Sequence, residues 1–367
     1  MRRVSFAPGL LVLVVACGLG ASACGSEGAT DPGFQTVAEA DGGNGVSDAS
    51  WDSLVSSSDA RYERSVLDAT DLGPPYPIVL AHGFSGWKDI QALNIPYFYG
   101  VVEALNAAGE TQVFTTQVDP YGATEVRGNE LAPQIDQILA QTGKDKVNII
   151  AHSQGGLDAR YIISTLGYGD RVASLTTIST PHRGTRVVDA LLKNVPDWTD
   201  SLINAAADLL GTSVFDIESN SDMRASLETL SEHYVQTVFN PANPNDPRVS
   251  YFSYAGRSND SPGQPDCDGS WIPDDPSVID HINPLLSVTG DYLRTPGAGV
   301  VCQNNDCVND GVVTVASSRW GLFMTCFPAD HFDEVGQIKE DKPNPESGYD
   351  QRVFYTNVVK RLRARGF

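Results

Sequence analysis

The amino-acid sequence predicts an α/β fold with a mostly parallel central sheet and helices on both of its faces. From about residue 75 onwards, short β-branched runs alternate with longer amphipathic runs, as strands and helices do around a parallel sheet. The chain has 367 residues, of which 41% are hydrophobic and 19% charged, so it can bury one large core. The run VNIIAHSQGGLDARYI also passes directly from a strand pattern into a helix pattern.

Five strands and three main helices are predicted along the chain. The strand-like runs are YPIVLAHG, QVFTTQV, KVNIIAHS, SLTTIST and VSYFSYAG. The helix-like runs are IPYFYGVVEALNAAG, then GNELAPQIDQILAQTG with Pro133 near its start, and the C-terminal YDQRVFYTNVVKRLRARGF, which ends with basic residues. Together they predict one folded domain over residues 74–367.

Residues 1–24 have the pattern of an export signal. Two arginines precede the apolar run LLVLVVA, which is too short to span a bilayer, and small residues follow it. Cys24 is the predicted lipidation site, because a polar stretch begins there; lipidation at Cys17 and a simple secretory signal are the alternatives. Residues 25–73 are rich in Gly, Ser, Asp and Ala and predict a linker. We therefore expect an exported protein, either a lipoprotein of the cell envelope or a secreted protein.

Charge and cysteine content narrow the partners and cofactors. The chain carries 46 acidic and 25 basic residues, which disfavours nucleic acid because nothing would neutralise its phosphates. Export to an oxidising compartment favours two disulfides among four cysteines, with three pairings open, whereas zinc would need closer spacings and adjacent histidines. These cysteines are Cys267, Cys302, Cys307 and Cys326.

A nucleophilic serine is predicted at the strand-to-helix junction. The pattern small-x-Ser-x-Gly places Ser153 on a tight turn that lifts its hydroxyl above the sheet edge. Ala151 stands where the commonest pattern has glycine, and alanine is still small enough for the turn. The helix that follows presents backbone N–H groups to a developing oxyanion. We expect the N–H of Gln154 to be one such donor and the N–H of Phe84, in the run VLAHGFSGW, to be the other.

A serine nucleophile needs a histidine to accept its proton and an acid to orient that histidine. In sites built on such an elbow the chain order is serine, acid, histidine, which leaves His281 and His331 as late candidates. His331 is favoured because CFPADHFDEVGQ is suited to a loop over the sheet edge. Asp310 heads an apolar β-branched run and is the favoured acid; Asp306 and Asp291 are the competing acids.

The motifs together resemble the bacterial true lipases of the pseudomonad type, α/β-hydrolases that act on triacylglycerols. The resemblance runs from about residue 75 to the C-terminus through YPIVLAHGFSGW, RGNELAPQI, KVNIIAHSQGGLDARYI, LTTISTPHRGT, LETLSEHYVQTVFN, NDGVVTVASS and DHFDEVGQ. It implies an α/β-hydrolase fold, a triad of Ser153, Asp310 and His331, and an oxyanion hole at Phe84 and Gln154. It implies no organic cofactor.

The same resemblance implies a structural calcium ion near the loop of the catalytic histidine. The family ligands fall on Asp280, Asp333 and Gln337, with a backbone carbonyl at Asp341. Oxygen ligands from separate loops are what calcium accepts. The alternative for Asp333 is that it begins and caps a helix. Some related lipases need a dedicated folding chaperone, so such a partner is also open, while the disulfide pairing cannot be carried over.

A helical lid is expected at about residues 195–235. The run VPDWTDSLINAAADLLGTSVF places Trp198, Leu202, Ala205 and Leu209 on one helical face and polar residues on the other. Such a helix beside the site is expected to open at a lipid–water interface; the alternative is an ordinary surface helix. We therefore expect a triacylglycerol lipase. An esterase or polyester depolymerase with an open cleft, or a surface lipoprotein without catalysis, are the alternatives.

Overall fold

A six-stranded parallel sheet forms the centre of the fold. The computed structural model describes residues 76–85, 89–90, 95–194, 199–209, 221–258, 280–294, 308–337 and 347–367. The strands are β1 (Ile78–Ala81), β2 (Asp89–Ile90), β3 (Ile95–Pro96), β4 (Val113–Thr115), β5 (Val147–His152), β6 (Val172–Ile178), β7 (Ser250–Arg257) and β8 (Leu322–Pro328). The sheet order is β4-β1-β5-β6-β7-β8, with every neighbouring pair parallel, whereas β2 and β3 form a separate antiparallel pair.

Helices connect the strands and cover both faces of the sheet. They are α1 (Val101–Ala107), α2 (Thr124–Thr142), α3 (Gly155–Ser164), α4 (Arg186–Leu191), α5 (Asp200–Leu209), α6 (Ser221–Glu228), α7 (Glu232–Tyr234), α8 (Asn240–Ala242), α9 (Ser287–Arg294), α10 (Val315–Ser318) and α11 (Gln351–Ala364). A π-helical turn, Val235–Phe239, joins α7 to α8. Side-chain caps begin several helices: Thr185 accepts from the Val187 N–H at α4, and Asp350 accepts from the Arg352 N–H at α11.

Most apolar residues of the sheet belong to two clusters, one on each face, and Ala255 and Cys326 belong to a smaller third cluster. Along β1, Ile78 and Leu80 pack with residues of α1 and α11, while Val79 and Ala81 pack with residues of α2 and α3. This alternation follows from the two-residue repeat of a strand. Every residue of β5 and β6 is buried, as expected for central strands of a parallel sheet. The predicted α/β fold with a parallel sheet is therefore confirmed.

Several predicted elements need correction. The run IPYFYG is not helical: Ile95–Pro96 is β3, and α1 starts at Val101 because Gly100 adopts a left-handed φ of 68° that a continuing helix does not allow. The second helix starts at Thr124, so Pro133 lies in its interior and not near its start. The strand β8 was not predicted.

The helix expected to form a lid is present in part as α5. Its buried residues are Leu202, Ile203, Ala206 and Ala207, whereas Ala205 is only partly buried, so the buried face is rotated from the predicted one. The helix packs against α4 and α9. Trp198 and the side chain of Leu209 lie outside the described residues, as do the predicted export signal and linker. Among the residues that are described, no helix combines the length and apolarity needed to cross a bilayer.

Candidate active site

Ser153 lies at the carboxyl end of β5, immediately before α3. Its φ of 54° is in the left-handed region, where a residue with a side chain is held only by its surroundings. The surroundings require glycine on both sides: a Cβ on Gly155 would lie 2.7 Å from the carbonyl oxygens of Ala81 and His82, and one on Gly83 would lie 2.6 Å from the Ser153 Cβ. The turn therefore brings the end of β1 against the serine.

The structure brings the three predicted catalytic side chains into one hydrogen-bonded line. The Ser153 Oγ lies 3.0 Å from His331 Nε2, and His331 Nδ1 lies 2.8 Å from Asp310 Oδ2. Because a carboxylate can only accept, the Nδ1 of His331 carries the proton, and its Nε2 is left to accept the serine proton. Ser153 and His331 are 9% and 8% exposed, so a small opening reaches them, whereas Asp310 is fully buried.

Asp310 is held by its own turn. Its Oδ1 accepts from the N–H groups of Val312 and Val313 at 2.8 and 2.7 Å, and Asn309 pairs with Thr314 across the turn. Burial acts to raise the pKa of this carboxyl, but the neighbouring His331 and these hydrogen bonds outweigh burial, so the pKa is lowered. The apolar β-branched run that Asp310 heads is not a strand: it forms this turn and then α10.

The predicted oxyanion donors lie on the two segments that meet at Ser153. Gln154 precedes α3, so its N–H belongs to the start of the helix, and its side chain is fixed by donation to the Gly122 carbonyl at 3.1 Å. Phe84 belongs to the oxyanion loop, which we define as residues 82–85, and its ring meets that of Tyr121 edge to face. The Ser85 N–H donates to the Pro120 carbonyl at 2.7 Å, which holds the loop from the far side.

A buried arginine anchors the oxyanion loop. Arg127 of α2 donates to the carbonyl of His82 at 2.7 Å, to the carbonyl of Asp119 at 2.8 Å and to the Asp158 carboxylate at 2.7 Å. His82 accepts from the Val118 N–H. Burial and the Arg127 charge lower the pKa of His82 to about 3, so the ring is neutral and serves as part of the turn.

A second histidine–carboxylate pair lies beside the first and was missed in the sequence. His152 Nε2 is 2.9 Å from Glu334 Oε2, and the ring centroids of His152 and His331 are 4.5 Å apart. His152 Nδ1 is 2.7 Å from the Tyr97 hydroxyl. In the sequence, only their positions beside the predicted catalytic residues point to this pair: His152 adjoins Ser153, and Glu334 stands three residues after His331.

Three buried carboxylates converge beside the His331 loop. Asp280, Asp330 and Asp333 bring ligand oxygens within 4.8 Å of one another. Burial and the Asp333 charge raise the pKa of Asp330 to about 7. Asp330 was missed in the sequence, although it directly precedes His331. It also replaces Asp333 as the capping residue, because its Oδ1 accepts from the N–H groups of Phe332 and Asp333 at 2.9 Å each.

The remaining predicted positions lie away from the triad or outside the described residues. Asp291 is an exposed residue of α9 that pairs with Arg294, and His281 is exposed. Gln337 follows the acidic cluster and is partly buried. Cys326 is buried in β8. Outside the described residues are Cys17, Cys24, Cys267, Cys302, Asp306, Cys307 and Asp341.

Comparisons with known proteins agree with this geometry. A family model described as alpha/beta hydrolase fold matches residues 76–268. The chain is 33% identical over 301 residues to triacylglycerol lipase 2 of Saccharomyces cerevisiae, which covers 76% of this chain and 77% of that protein. It is 28% identical over 316 residues to the triacylglycerol lipase of Pseudomonas fragi, covering 79% and 97%. The crystal structure of mature Bacillus licheniformis lipase BlEst2 superimposes with a TM-score of 0.54 at 19% identity, covering 80% and 96%. The chain therefore belongs to the α/β-hydrolase family, in which it is a serine ester hydrolase similar to triacylglycerol lipases.

Proposed function

We propose that the protein is an exported triacylglycerol lipase that acts through an acyl-enzyme on Ser153. The observation that carries this proposal is the hydrogen-bonded line from Ser153 Oγ through His331 to Asp310, with separations of 3.0 and 2.8 Å. Relatives described as triacylglycerol lipases support the substrate class. The resemblance to secreted and lipid-anchored chains in residues 1–24 supports export.

Acylation begins when the Ser153 hydroxyl attacks the ester carbonyl and its proton passes to His331 Nε2. Asp310 keeps the imidazole in the required tautomer and stabilises its charged form. The N–H groups of Phe84 and Gln154 stabilise the tetrahedral oxyanion, each by about 3 kcal/mol at acyl-transfer sites of this kind. His331 then gives the proton to the leaving alcohol.

Deacylation repeats the same steps with water as the nucleophile. His331 takes a proton from water, the oxyanion forms again in the same place, and the proton returns to Ser153 as the fatty acid leaves. In both halves the proton passes through His331, from Ser153 to the leaving alcohol and then from water to Ser153, so one side chain supplies the acid–base chemistry. No organic cofactor is needed for these steps.

We also propose a structural calcium ion at the acidic cluster. The buried oxygens of Asp280, Asp330 and Asp333 fit a hard divalent cation, which would offset the repulsion among three buried carboxylates. Gln337 and the carbonyl of Asp341 complete the expected ligand set. The ion would fix the loop that carries His331, because Asp330 and Asp333 flank that residue on both sides.

Calcium binding is tested by its effect on stability. Removing calcium with EGTA should lower the midpoint of thermal unfolding of the wild type, and Asp330→Asn should lose most of that response. Asp291→Asn, which changes an exposed acid on α9, is the control and should respond like the wild type. A wild-type midpoint that EGTA does not change, together with no heat of calcium binding by calorimetry, would count against the ion.

We propose that α5 belongs to a lid. Its buried small and aliphatic residues, Leu202, Ile203, Ala206 and Ala207, would meet lipid if the helix moved away from α4 and α9. Hydrolysis should then rise as a soluble ester passes its solubility limit. An unchanged rate at that limit would favour the open-cleft esterase or depolymerase.

The enzymatic proposal is tested with p-nitrophenyl esters of increasing acyl length. The mature domain should hydrolyse long-chain esters, and Ser153→Ala should abolish that hydrolysis. Ser174→Ala is the matched control, because Ser174 is a buried serine at the opposite end of the sheet, where it donates to Asn148. Short-chain activity without long-chain activity would identify an esterase, and equal rates in both variants would overturn the proposal.

Lipidation at Cys24 is tested by mass spectrometry of the mature N-terminus. An acylated cysteine at position 24 that disappears in Cys24→Ser would support a lipoprotein. An unmodified N-terminus in the culture medium would instead indicate a secreted enzyme.

The need for a dedicated folding chaperone is tested by co-expression. Folding that succeeds only when such a chaperone is produced together with the chain would support a chaperone as a partner.

A further inference from the structure

A buried hydrogen-bond network leads from the Glu334 carboxylate to the backbone of the oxyanion loop. Glu334 Oε2 is 2.9 Å from His152 Nε2, His152 Nδ1 is 2.7 Å from the Tyr97 hydroxyl, and the Gly83 N–H donates to that hydroxyl at 3.2 Å. Glu334, His152 and Tyr97 are all 5% exposed or less. Because these side chains are buried, each polar group depends on the next one for its hydrogen bond.

The protons of this network have one arrangement that satisfies every donor. The Gly83 N–H can only donate, so the Tyr97 oxygen accepts from it and gives its own proton to His152 Nδ1. His152 then carries a proton on Nε2 and donates it to Glu334. In the other tautomer His152 Nδ1 would carry a proton and could not accept from the Tyr97 hydroxyl. That hydroxyl would then be a buried donor without an acceptor, which costs free energy.

The second oxygen of Glu334 is also used as an acceptor. Glu334 Oε1 accepts from the Ser179 hydroxyl at 2.6 Å, and Ser179 Oγ accepts from the Gly256 N–H at 3.0 Å. Donors thus reach both oxygens of the Glu334 side chain, one from His152 and one from Ser179. Glu334 is the end point that fixes the direction of the whole network.

Three members of the network adjoin catalytic segments. His152 directly precedes Ser153, Gly83 directly precedes Phe84, and Glu334 lies on the 3₁₀ turn Asp333–Val335 just after His331. The network therefore connects the nucleophile, the oxyanion loop and the loop of the base without touching substrate itself.

We propose that Glu334, acting through His152 and Tyr97, is a positioning residue for ester hydrolysis that holds the Phe84 N–H in place against Ser153. This inference rests on the proposed function of the Ser153 site. The network contributes to the reaction by orienting an oxyanion donor. It transfers no proton to or from the substrate.

Tyr97→Phe is the sharpest test, because it removes the hydroxyl and leaves the ring packed edge to face on Phe98. We expect kcat for each active site to fall about tenfold with KM changed less than about twofold, because oxyanion stabilisation acts in the transition state. Affinity for a boronic acid that forms a tetrahedral serine adduct should fall by the same factor. Complete loss of one donor costs more, about 10²–10³-fold, so displacement of a donor should cost less.

Tyr349→Phe is the matched control. Tyr349 is buried like Tyr97, and its hydroxyl donates to the Glu334 backbone carbonyl at 3.2 Å, outside the carboxylate network. Its kcat should stay within twofold of the wild type. Labelling with a phosphonate ester counts the active sites in each sample, so partial unfolding cannot imitate a lower kcat. Equal kcat values per labelled site in Tyr97→Phe and Tyr349→Phe would overturn the inference.

Glu334→Gln supplies an independent test through coupling. Glu334→Gln alone should also lower kcat about tenfold. The double variant Glu334→Gln/Tyr97→Phe should have a kcat within about twofold of the slower single variant, because one change already interrupts the network. Additive losses would overturn the inference. If the phosphonate failed to label the wild type, the proposed function would fail and this inference with it, whereas normal labelling with normal kcat in Tyr97→Phe would remove the inference alone.

Discussion

The active site contains two buried histidine–carboxylate pairs whose histidine rings are 4.5 Å apart but whose surroundings differ. His331 is 2.8 Å from Asp310, and His152 is 2.9 Å from Glu334. At the other ring nitrogen, His331 faces the Ser153 hydroxyl, whereas His152 faces Tyr97. A buried carboxylate partner therefore does not by itself make a histidine a base. The partner at its second nitrogen determines whether a reacting proton can reach it.

The two carboxylates differ as well. Asp310 receives two backbone N–H groups, and its pKa is lowered because these bonds and His331 outweigh burial. Burial and the nearby Asp310 raise the pKa of Glu334. The anionic form of Asp310 is therefore favoured beside His331, whereas burial and the Asp310 charge favour the neutral form of Glu334.

The largest difference between the pairs is expected when the base is removed. His331→Ala should lower kcat by about 10⁶-fold, because no other group would accept the Ser153 proton. The measurement is the rate of steady-state ester hydrolysis, and circular dichroism confirms that the variant is folded. Residual activity within about a hundredfold of the wild type would show that a neighbouring group, such as His152, can act as the base.

Replacing the acid should have the next largest effect. Asp310→Asn should lower kcat by about 10⁴-fold, because the amide permits the wrong His331 tautomer while its oxygen can still accept from Val312 and Val313. Asp291→Asn, at the exposed competing acid, should stay within twofold. A small loss in Asp310→Asn would mean that Glu334 orients His331 in its place.

Replacing the second histidine should have a much smaller effect. His152→Gln should lower kcat about tenfold, because His152 orients its neighbours and moves no proton during the reaction. The same ester series and active-site labelling measure the loss. A loss as large as that of His331→Ala would remove the distinction between the two pairs.

The smallest expected effect is the dependence of the His152 protonation state on pH. Burial and the neighbouring His331 lower the pKa of His152 well below its usual value, so it should stay neutral, with its proton on Nε2, at pH 5. Nitrogen-15 NMR of labelled histidines measures this directly; an imidazolium signal from His152 at pH 5 would contradict it. The unfolded chain, with an ordinary pKa near 6.5, binds one more proton below that pH.

This difference in bound protons has a consequence for stability with a definite sign. As the pH falls below about 6.5, His152 should lower the free energy of unfolding by up to about 1.4 kcal/mol per pH unit. His152→Gln should lack this contribution, so its stability should fall less steeply than that of the wild type between pH 6.5 and 5. Denaturant unfolding at each pH measures the free energy of unfolding of both proteins. If it fell equally in the wild type and in His152→Gln between pH 6.5 and 5, the expected contribution of His152 would be contradicted.

Local patterns explain which parts of the fold and site could be predicted. The strand, the turn and the glycines that follow Ser153 stand in one continuous run that predicts the nucleophile, and the alternation of strand and helix patterns along the chain predicts the parallel α/β class. The strand β8 was missed because LFMTCFP lacks the alternation of apolar and polar residues that marks a half-buried strand. The interior position of Pro133 was missed because the helix begins at Thr124, where Thr124, Arg127 and Gly128 are buried although they form no apolar helical pattern.

The missed site residues depend on contacts between distant segments. Glu334 acquires its role from His152, which is 182 residues away in the chain, and Arg127 from the His82 carbonyl, 45 residues away. No spacing rule relates such positions in one sequence. Asp330 was closer to being found, because ADHFDE places three acids around His331, and only the fold shows that Asp330 and Asp333 meet Asp280.

The distance along the chain between Ser153 and His331 has a consequence for biosynthesis. The base lies 178 residues after the serine, on the loop that follows the last strand of the sheet. A growing polypeptide therefore carries its nucleophile long before the ribosome adds the group that activates it. Ester cleavage can begin only after His331 has been synthesised and β8 has joined the sheet, so chains that end before this loop carry the serine without its base.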